Sequence, residues 1–155
     1  MEFKTNVMRI LDKQKISYTS HCYAHTSAVS GVEVAAVLNQ DPERVFKTLV
    51  TAGKSKHYYV FVVPVAEELN LKKAAQSVNE KAIEMIKAKE LLPLTGYVHG
   101  GCSPIGMKKL FPTTLDASAA NFESIIFSAG KLGYQVEVSL AELKKVLDFY
   151  LADIV

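Results

Sequence analysis

Val45-Phe46-Lys47-Thr48-Leu49-Val50-Thr51, then Ala52-Gly53-Lys54-Ser55-Lys56, then His57-Tyr58-Tyr59-Val60-Phe61-Val62-Val63-Pro64: the fold of this chain turns on these twenty residues. Two runs rich in β-branched and aromatic side chains flank a short linker of small and charged residues, the pattern of a β-hairpin. Tyr58 to Val63 is apolar on both faces, so it belongs in the middle of a sheet. The first run is different. Strand alternation puts Lys47 on the same face as Val45 and Leu49, an ammonium between apolar neighbours. Such a lysine either snorkels at a sheet edge or presents its charge in a partly desolvated pocket, and spacing alone leaves both open.

Outward from the hairpin, Phe3, Val7, Met8, Ile10 and Leu11 recur at helical spacing and predict a helix over about 3–14. Ser17 to Tyr23 alternates and predicts a strand. Ser30-Gly31-Val32-Glu33 has the form of a capping box opening a helix through Leu38, which ends before Asp41-Pro42. On the other side, Asn70 caps a short helix, Leu71 to Ser77. A brief strand about Ala82–Met85 and a turn of helix up to Leu92-Pro93 follow. Thr113–Ala117, Ser124–Ser128 and Gln135–Val138 are three further short strands. Ser139-Leu140-Ala141-Glu142 repeats the capping-box form and predicts a closing helix through Leu143, Val146, Leu147 and Tyr150. Nothing repeats and no linker divides the chain. The expected fold is α+β, a single domain over residues 1–155, with a mixed or mostly antiparallel sheet and helices packed on it.

Bulk properties narrow the function classes. The 155 residues suffice for one independently folding core, with 49% hydrophobic and 22% charged residues. A formal charge of +2 is too mild to advertise nucleic-acid binding by itself. The lysine pairs Lys72-Lys73, Lys108-Lys109 and Lys144-Lys145 read first as solvated faces. No apolar run is long enough to span a bilayer, and the first residues lack a signal-peptide pattern. Two cysteines, Cys22 and Cys102, make no disulfide framework. A soluble, cytoplasmic protein is expected, with no membrane partner.

Chemistry concentrates in three places besides Lys47. Thr95 to Gly106 holds four glycines and one proline, the densest such cluster in the chain. Its Gly100-Gly101 pair lets backbone amides approach a ligand and face developing negative charge, or simply forms a turn. It lacks the ending of a P-loop. Ser128-Ala129-Gly130-Lys131-Leu132-Gly133 reads as a strand end and a glycine-bracketed turn. His21-Cys22-Tyr23-Ala24-His25 invites a metal reading with His99 and Cys102, but the spacing is wrong and a strand sends His21 and Cys22 to opposite faces. No metal and no cofactor is expected. Cys102 as a nucleophile with His99 as base would need two side chains to meet that their spacing does not bring together.

Taken in order, Val45-Phe46-Lys47-Thr48-Leu49, Asn70-Leu71-Lys72-Lys73-Ala74-Ala75, Gly96-Tyr97 with Gly100-Gly101-Cys102-Ser103-Pro104-Ile105-Gly106-Met107-Lys108-Lys109, and Ser128-Ala129-Gly130-Lys131 resemble the YbaK/EbsC family. These are cysteinyl-tRNA deacylases related to the editing insertion of bacterial prolyl-tRNA synthetase, and the likeness spans nearly the whole chain. The resemblance implies a curled, mixed sheet, partly closed as a barrel and surrounded by helices. It also implies trans-editing: removal of cysteine from mischarged proline tRNA, and of cysteine from its own tRNA as an open question. The partners it implies are the aminoacyl-tRNA acceptor end and prolyl-tRNA synthetase. Its central lysine falls on Lys47, its backbone donors on Gly100 and Gly101, and its pocket residues on Tyr23, Thr48 and Ser128.

By the same resemblance the substrate's own thiol attacks its ester carbonyl, so the protein supplies placement rather than a nucleophile. Gly100 and Gly101 would then steady the oxyanion, Lys47 the terminal nucleotide, and Cys102 would be structural. Two departures border the implied pocket. Ser30 stands where close bacterial relatives have an aromatic residue, and Gln135 where some have an aspartate. They keep a relative that clears alanine from proline tRNA in view, and a non-catalytic regulatory protein is the alternative of another class.

Overall fold

The computed structural model describes residues 3–155; Met1 and Glu2, part of the N-terminal pattern read above, lie outside the described residues. The strands are β1 (Thr19–Cys22), β2 (Phe46–Gly53), β3 (Tyr58–Pro64), β4 (Ile83–Met85), β5 (Thr113–Asp116), β6 (Ser124–Ser128), β7 (Tyr134–Ser139) and β8 (Tyr150–Ala152). The helices are α1 (Asn6–Lys13), α2 (Gly31–Val37), α3 (Leu71–Ser77), α4 (Ala88–Thr95) and α5 (Leu140–Leu143), with a 3-10 turn at Ala117–Asn121.

The hairpin forms as expected: β2 and β3 pair antiparallel, Phe46 opposite Pro64 and Ala52 opposite Tyr58. β3 is central in a five-stranded sheet of order β4-β2-β3-β5-β8, and Val60, Phe61, Val62 and Val63 are fully buried. Each such side chain contributes about 1.5–3 kcal/mol over its exposed state. Its two faces feed different clusters. Val60 and Val62 join Phe46, Val50 and Phe127 in the main core, while Phe61 and Val63 pack with α3 and Ile154. The sheet is mixed, because β3–β5 and β5–β8 run parallel.

The expected single curled sheet is divided. β1, β7 and β6 form a separate antiparallel sheet, joined to β2 by one isolated parallel bridge, Val45 to Ile126. Among the described residues the ladders do not close into a barrel.

Caps set the helix starts. Thr5 accepts the Met8 amide and starts α1 later than its apolar spacing suggested. Ser30 makes the full capping box with Glu33, and Asn70 accepts the Lys73 amide. Two expectations fail at helix ends. α4 does not stop at Pro93 but runs to Thr95: Pro93 lacks an N–H and crowds the turn before it, yet the residues after it remain helical and the Gly96 amide closes on the Leu92 carbonyl. The closing helix is one turn, Leu140–Leu143, and Tyr150 lies in β8 beside β5. Ser139 caps Glu142, but Ser139 is also the last ladder residue of β7, and no reciprocal bond from the Glu142 side chain to its amide forms. Burial of Phe149 and the Ile154 amide's bond to the buried Asp116 carboxylate hold the end of the chain in this extended course.

Candidate active site

The candidate site lies where the two sheets meet. Along β2, odd positions bond to β3: the Val45 carbonyl accepts the Val65 amide and the Gly53 amide donates to His57. Even positions therefore turn their backbone groups to the other edge. There the Arg44 carbonyl accepts the Ile126 amide at 2.9 Å, and the Val50 carbonyl accepts the Ile86 amide at 3.4 Å. Between these two attachments neither β6 nor β4 pairs with the Phe46–Leu49 stretch. Thr48 thus turns its backbone N–H and C=O toward β6, which runs beside β2 past the bridge.

Side chains follow from the same register. Val45 and Ile126 share a small cluster with Ala35 of α2 and Val65. Two residues further along each strand stand Lys47 and Ser128, on the same face as that cluster. Gln135 pairs with Ser128 across β6–β7 and His21 pairs with Gln135 across β7–β1, which extends the row. Tyr23, whose amide continues the ladder by donating to the Gly133 carbonyl at 2.8 Å, falls on that face too and is buried. Lys47, Ser128 and Tyr23 thus share one face, with β6 and β7 lying between Lys47 and Tyr23. Lys47 is half-buried, and no carboxylate pairs with its ammonium among the described residues. The Ser128 hydroxyl accepts the Gly130 amide at 3.1 Å, which fixes its position.

Other expected residues sit differently. Thr48 is on the opposite face of β2, in register with Val62, and its hydroxyl oxygen is buried with no partner among the described residues. Ser30 is exposed, and its hydroxyl is taken up in capping α2. The helix start is seated tightly, because a Cβ on Gly31 would come within 2.5 Å of the Val65 side chain.

Gly100 and Gly101 form a turn. The Gly101 amide donates to the Val98 carbonyl at 3.0 Å and Gly100 takes φ +86°. A left-handed residue at that place in a β-turn calls for glycine. Of the two expected donors, the Gly100 amide has no acceptor among the described residues. Gly101 lets the loop lie on the Lys131–Leu132 backbone, since its Cβ would be 3.3 Å from the Leu132 nitrogen. The next residue, Cys102, belongs to the main core with Phe46 and Tyr97, and burial pushes its thiol up to about 12. It has almost no thiolate at neutral pH and is no nucleophile.

Sequence reading missed the polar groups that flank the row. The Gln40 amide, in the loop after α2, donates to Gln135 at 2.9 Å. Glu137 accepts from Arg44 and Ser124, each at 2.6 Å, and meets His21 at 3.0 Å. Burial draws the Glu137 carboxyl upward, but its bonds from Ser124, His21 and Arg44 together win and hold it below its ordinary 4.5. The polar alternation His21, then Gln135 and Glu137, was the available signal. His21 engages Glu137 rather than Cys22, and among the described residues no group of three or more His, Cys, Asp or Glu is placed to hold a metal ion.

Two shallow surface depressions, each about 360 Å³, lie elsewhere, one beside Lys73 and Asp153 and one beside Lys4 and Asp12. Residues 25–146, which contain most of this row and the glycine turn, match the aminoacyl-tRNA editing domain. The chain belongs to that family, on its YbaK/EbsC branch. It is 46% identical over 140 residues to an Enterococcus faecalis protein assigned as the Cys-tRNA(Pro)/Cys-tRNA(Cys) deacylase EbsC, covering 88% of this chain and 84% of the relative. Two solved structures share the fold at lower identity. A hypothetical protein, APE2540, superposes with TM-score 0.87 at 20% identity over 97% of this chain and 99% of its own. A protein described as a trans-editing enzyme for prolyl-tRNA synthetase gives 0.82 at 21%, over 99% and 98%. No helix among the described residues is long and apolar enough to cross a membrane.

Proposed function

We propose that this editing domain is a deacylase that removes cysteine from Cys-tRNA(Pro), and from Cys-tRNA(Cys), at the seam between β2 and β6. The observation that carries the reading is the half-buried Lys47 ammonium, without a carboxylate partner among the described residues, on the face it shares with Ser128 and Tyr23. Cys102 is buried and protonated, and Cys22 lies on the other face of β1. A cation with no internal partner suits the phosphate end of the terminal nucleotide. The named activity of the E. faecalis relative supports the choice of amino acid.

The chain offers no activated nucleophile here, so the substrate supplies it. The cysteinyl sulfur attacks its own ester carbonyl carbon and an S–C bond forms. The C–O bond to the terminal ribose breaks, the ribose oxygen takes up a proton equivalent to the one the thiol lost, and a thiolactone leaves. Placement alone can supply effective molarities of about 10⁵–10⁸ M for such an intramolecular step. In this reading the Gly100 amide donates to the developing oxyanion, and Gly101 secures the turn that aims it. Lys47 positions the nucleotide, Ser128 and Tyr23 line the face where the aminoacyl group rests, and Ser30 borders it. Thr48 contributes its backbone groups at the strand edge.

The test is deacylation of Cys-, Ala- and Ser-charged proline tRNA. Lys47→Ala is expected to lower cleavage of the cysteinyl ester by about 10²-fold or more without loss of fold, a magnitude typical of removing one positioned charge donor. Cys102→Ala is expected to leave it largely intact. An inactive Cys102→Ala protein that folds, or equal cleavage of all three esters, overturns the reading. A domain gripping one acceptor end makes few phosphate contacts and discriminates poorly among tRNAs. We therefore place it with prolyl-tRNA synthetase, whose addition is expected to quicken clearance of Cys-tRNA(Pro) at physiological salt.

A further inference from the structure

An exposed aromatic ring stands beside the glycine turn. Phe3, ahead of α1, is half-exposed, and Tyr134 of β7 stacks on it with ring centroids 4.7 Å apart. Tyr134 packs in turn against the main core, so the Phe3 ring rests on a fixed support. The Lys131 ammonium also stands over Phe3, 4.5 Å from the ring centre. Lys131 is exposed and makes no ion pair among the described residues. Its turn is seated firmly, since a Cβ on Gly130 would come within 2.9 Å of Tyr97 and 3.0 Å of Val7. The next residue, Leu132, lies over Gly100, where a Cβ would meet it at 2.8 Å, and Gly101 rests on the Lys131–Leu132 backbone. Ring, ammonium and glycine turn are thus gathered around one short segment.

We propose that Phe3, backed by Tyr134, is a stacking platform for an unpaired base of the tRNA acceptor end, and that Lys131 passes from the ring to the adjoining phosphate when the base arrives. The inference rests on the reading above, in which the ester is held beside Gly100. The nucleotides that precede the terminal adenosine are single-stranded, and each carries one flat base and one negative charge. Phe3 and Lys131 offer a partner to each. In the free protein the ammonium covers the ring; an exposed contact of that kind is weak, and a stacked base is the stronger of the two. A docked protein would have to meet ring and charge with two side chains, whereas one nucleotide answers both. Stacking accepts every base, so the platform adds grip on the acceptor end without choosing among tRNAs.

The chain contains no tryptophan, so Phe3→Trp installs a single fluorophore on the platform. The experiment titrates this full-chain variant with a short single-stranded RNA of acceptor-end sequence, with fold checked by thermal melting. Emission is expected to be quenched as a base stacks. Phe3→Ala is expected to bind the same RNA about tenfold more weakly, read by anisotropy of labelled RNA. Phe3→Leu, apolar but not flat, should lose as much, and it serves if the alanine variant does not fold. In deacylation of Cys-tRNA(Pro), Phe3→Ala should raise KM about tenfold with a much smaller change in kcat, the signature of a contact kept through the reaction. Lys131→Ala should flatten the slope of log affinity against log salt by about 0.7, one phosphate on a single strand. Absence of quenching, or equal RNA affinity for wild type, Phe3→Ala and Phe3→Leu, overturns the inference. So does a Phe3→Ala protein that binds RNA normally but loses its response to prolyl-tRNA synthetase, which would make the patch a protein contact. Quenching by RNA in a chain that fails to deacylate Cys-tRNA(Pro) would instead leave the platform standing and refute the deacylase reading.

Discussion

The two sheets of this domain are built on opposite principles. The five-stranded sheet is dry at its centre: β3 buries Val60 to Val63 completely and faces apolar clusters on both sides. The three-stranded sheet is dry on one side only. Val136 and Val138 face the core, while His21, Gln135 and Glu137 alternate onto the other face. One sheet is a foundation and the other a worked surface. Lys47 belongs to the first and Ser128 to the second, so the proposed site lies at their seam and draws on groups that neither sheet could assemble alone.

Predictions follow from that contrast. Phe61→Ala strikes the foundation. It removes a fully buried ring from the middle strand and is expected to cost about 3–5 kcal/mol in urea unfolding. A cost near 1 kcal/mol would mean that the central strand is not the foundation described.

Glu137→Gln strikes the worked surface and its link to Arg44, and a smaller loss of about 1–3 kcal/mol is expected near neutral pH. Here the pH dependence has a definite sign. The folded carboxyl is held below 4.5, so its contribution is full above the unfolded value and is lost as pH falls through the folded one. The stability gap between wild type and Glu137→Gln should therefore narrow on acidification below about pH 4.5, where the unfolded carboxyl begins to take up protons. A gap that widens with acid contradicts the assignment.

The smallest effect is expected from Thr48→Val, which removes a buried hydroxyl that has no partner among the described residues. Stability should hold or rise by up to about 1 kcal/mol, and deacylation should persist, because Thr48 is assigned a role through its backbone. Loss of activity with intact fold would move its side chain into the site.

The foundation was legible and the worked surface only partly. The central place of Tyr58–Val63 follows from an apolar run on both faces, and the capping box at Ser30 and Glu33 is a local signal that the structure keeps. Local signals fail where distant residues compete. At Ser139 the same capping pattern met a strand that already used the backbone, and Tyr150 went to β5 instead of a helix. Motif order located Lys47 and Ser128, but their shared face depends on the Val45–Ile126 bridge, a contact across eighty positions that no local pattern encodes. The Gly100-Gly101 pair was visible as a turn or a donor nest; the turn holds, with one amide consumed by it. Gln40 and Arg44 carried no signal, since each gains its meaning from a partner on β7.

The Val45–Ile126 bridge has a mechanical consequence. The backbone pin is backed by side chains, because Phe127, Val136 and Val138 of one sheet share the main core with Phe46, Val60 and Val62 of the other. A joint filled with close-packed atoms resists bending, so Lys47 and Ser128, two residues beyond the bridge, are held at a nearly constant separation.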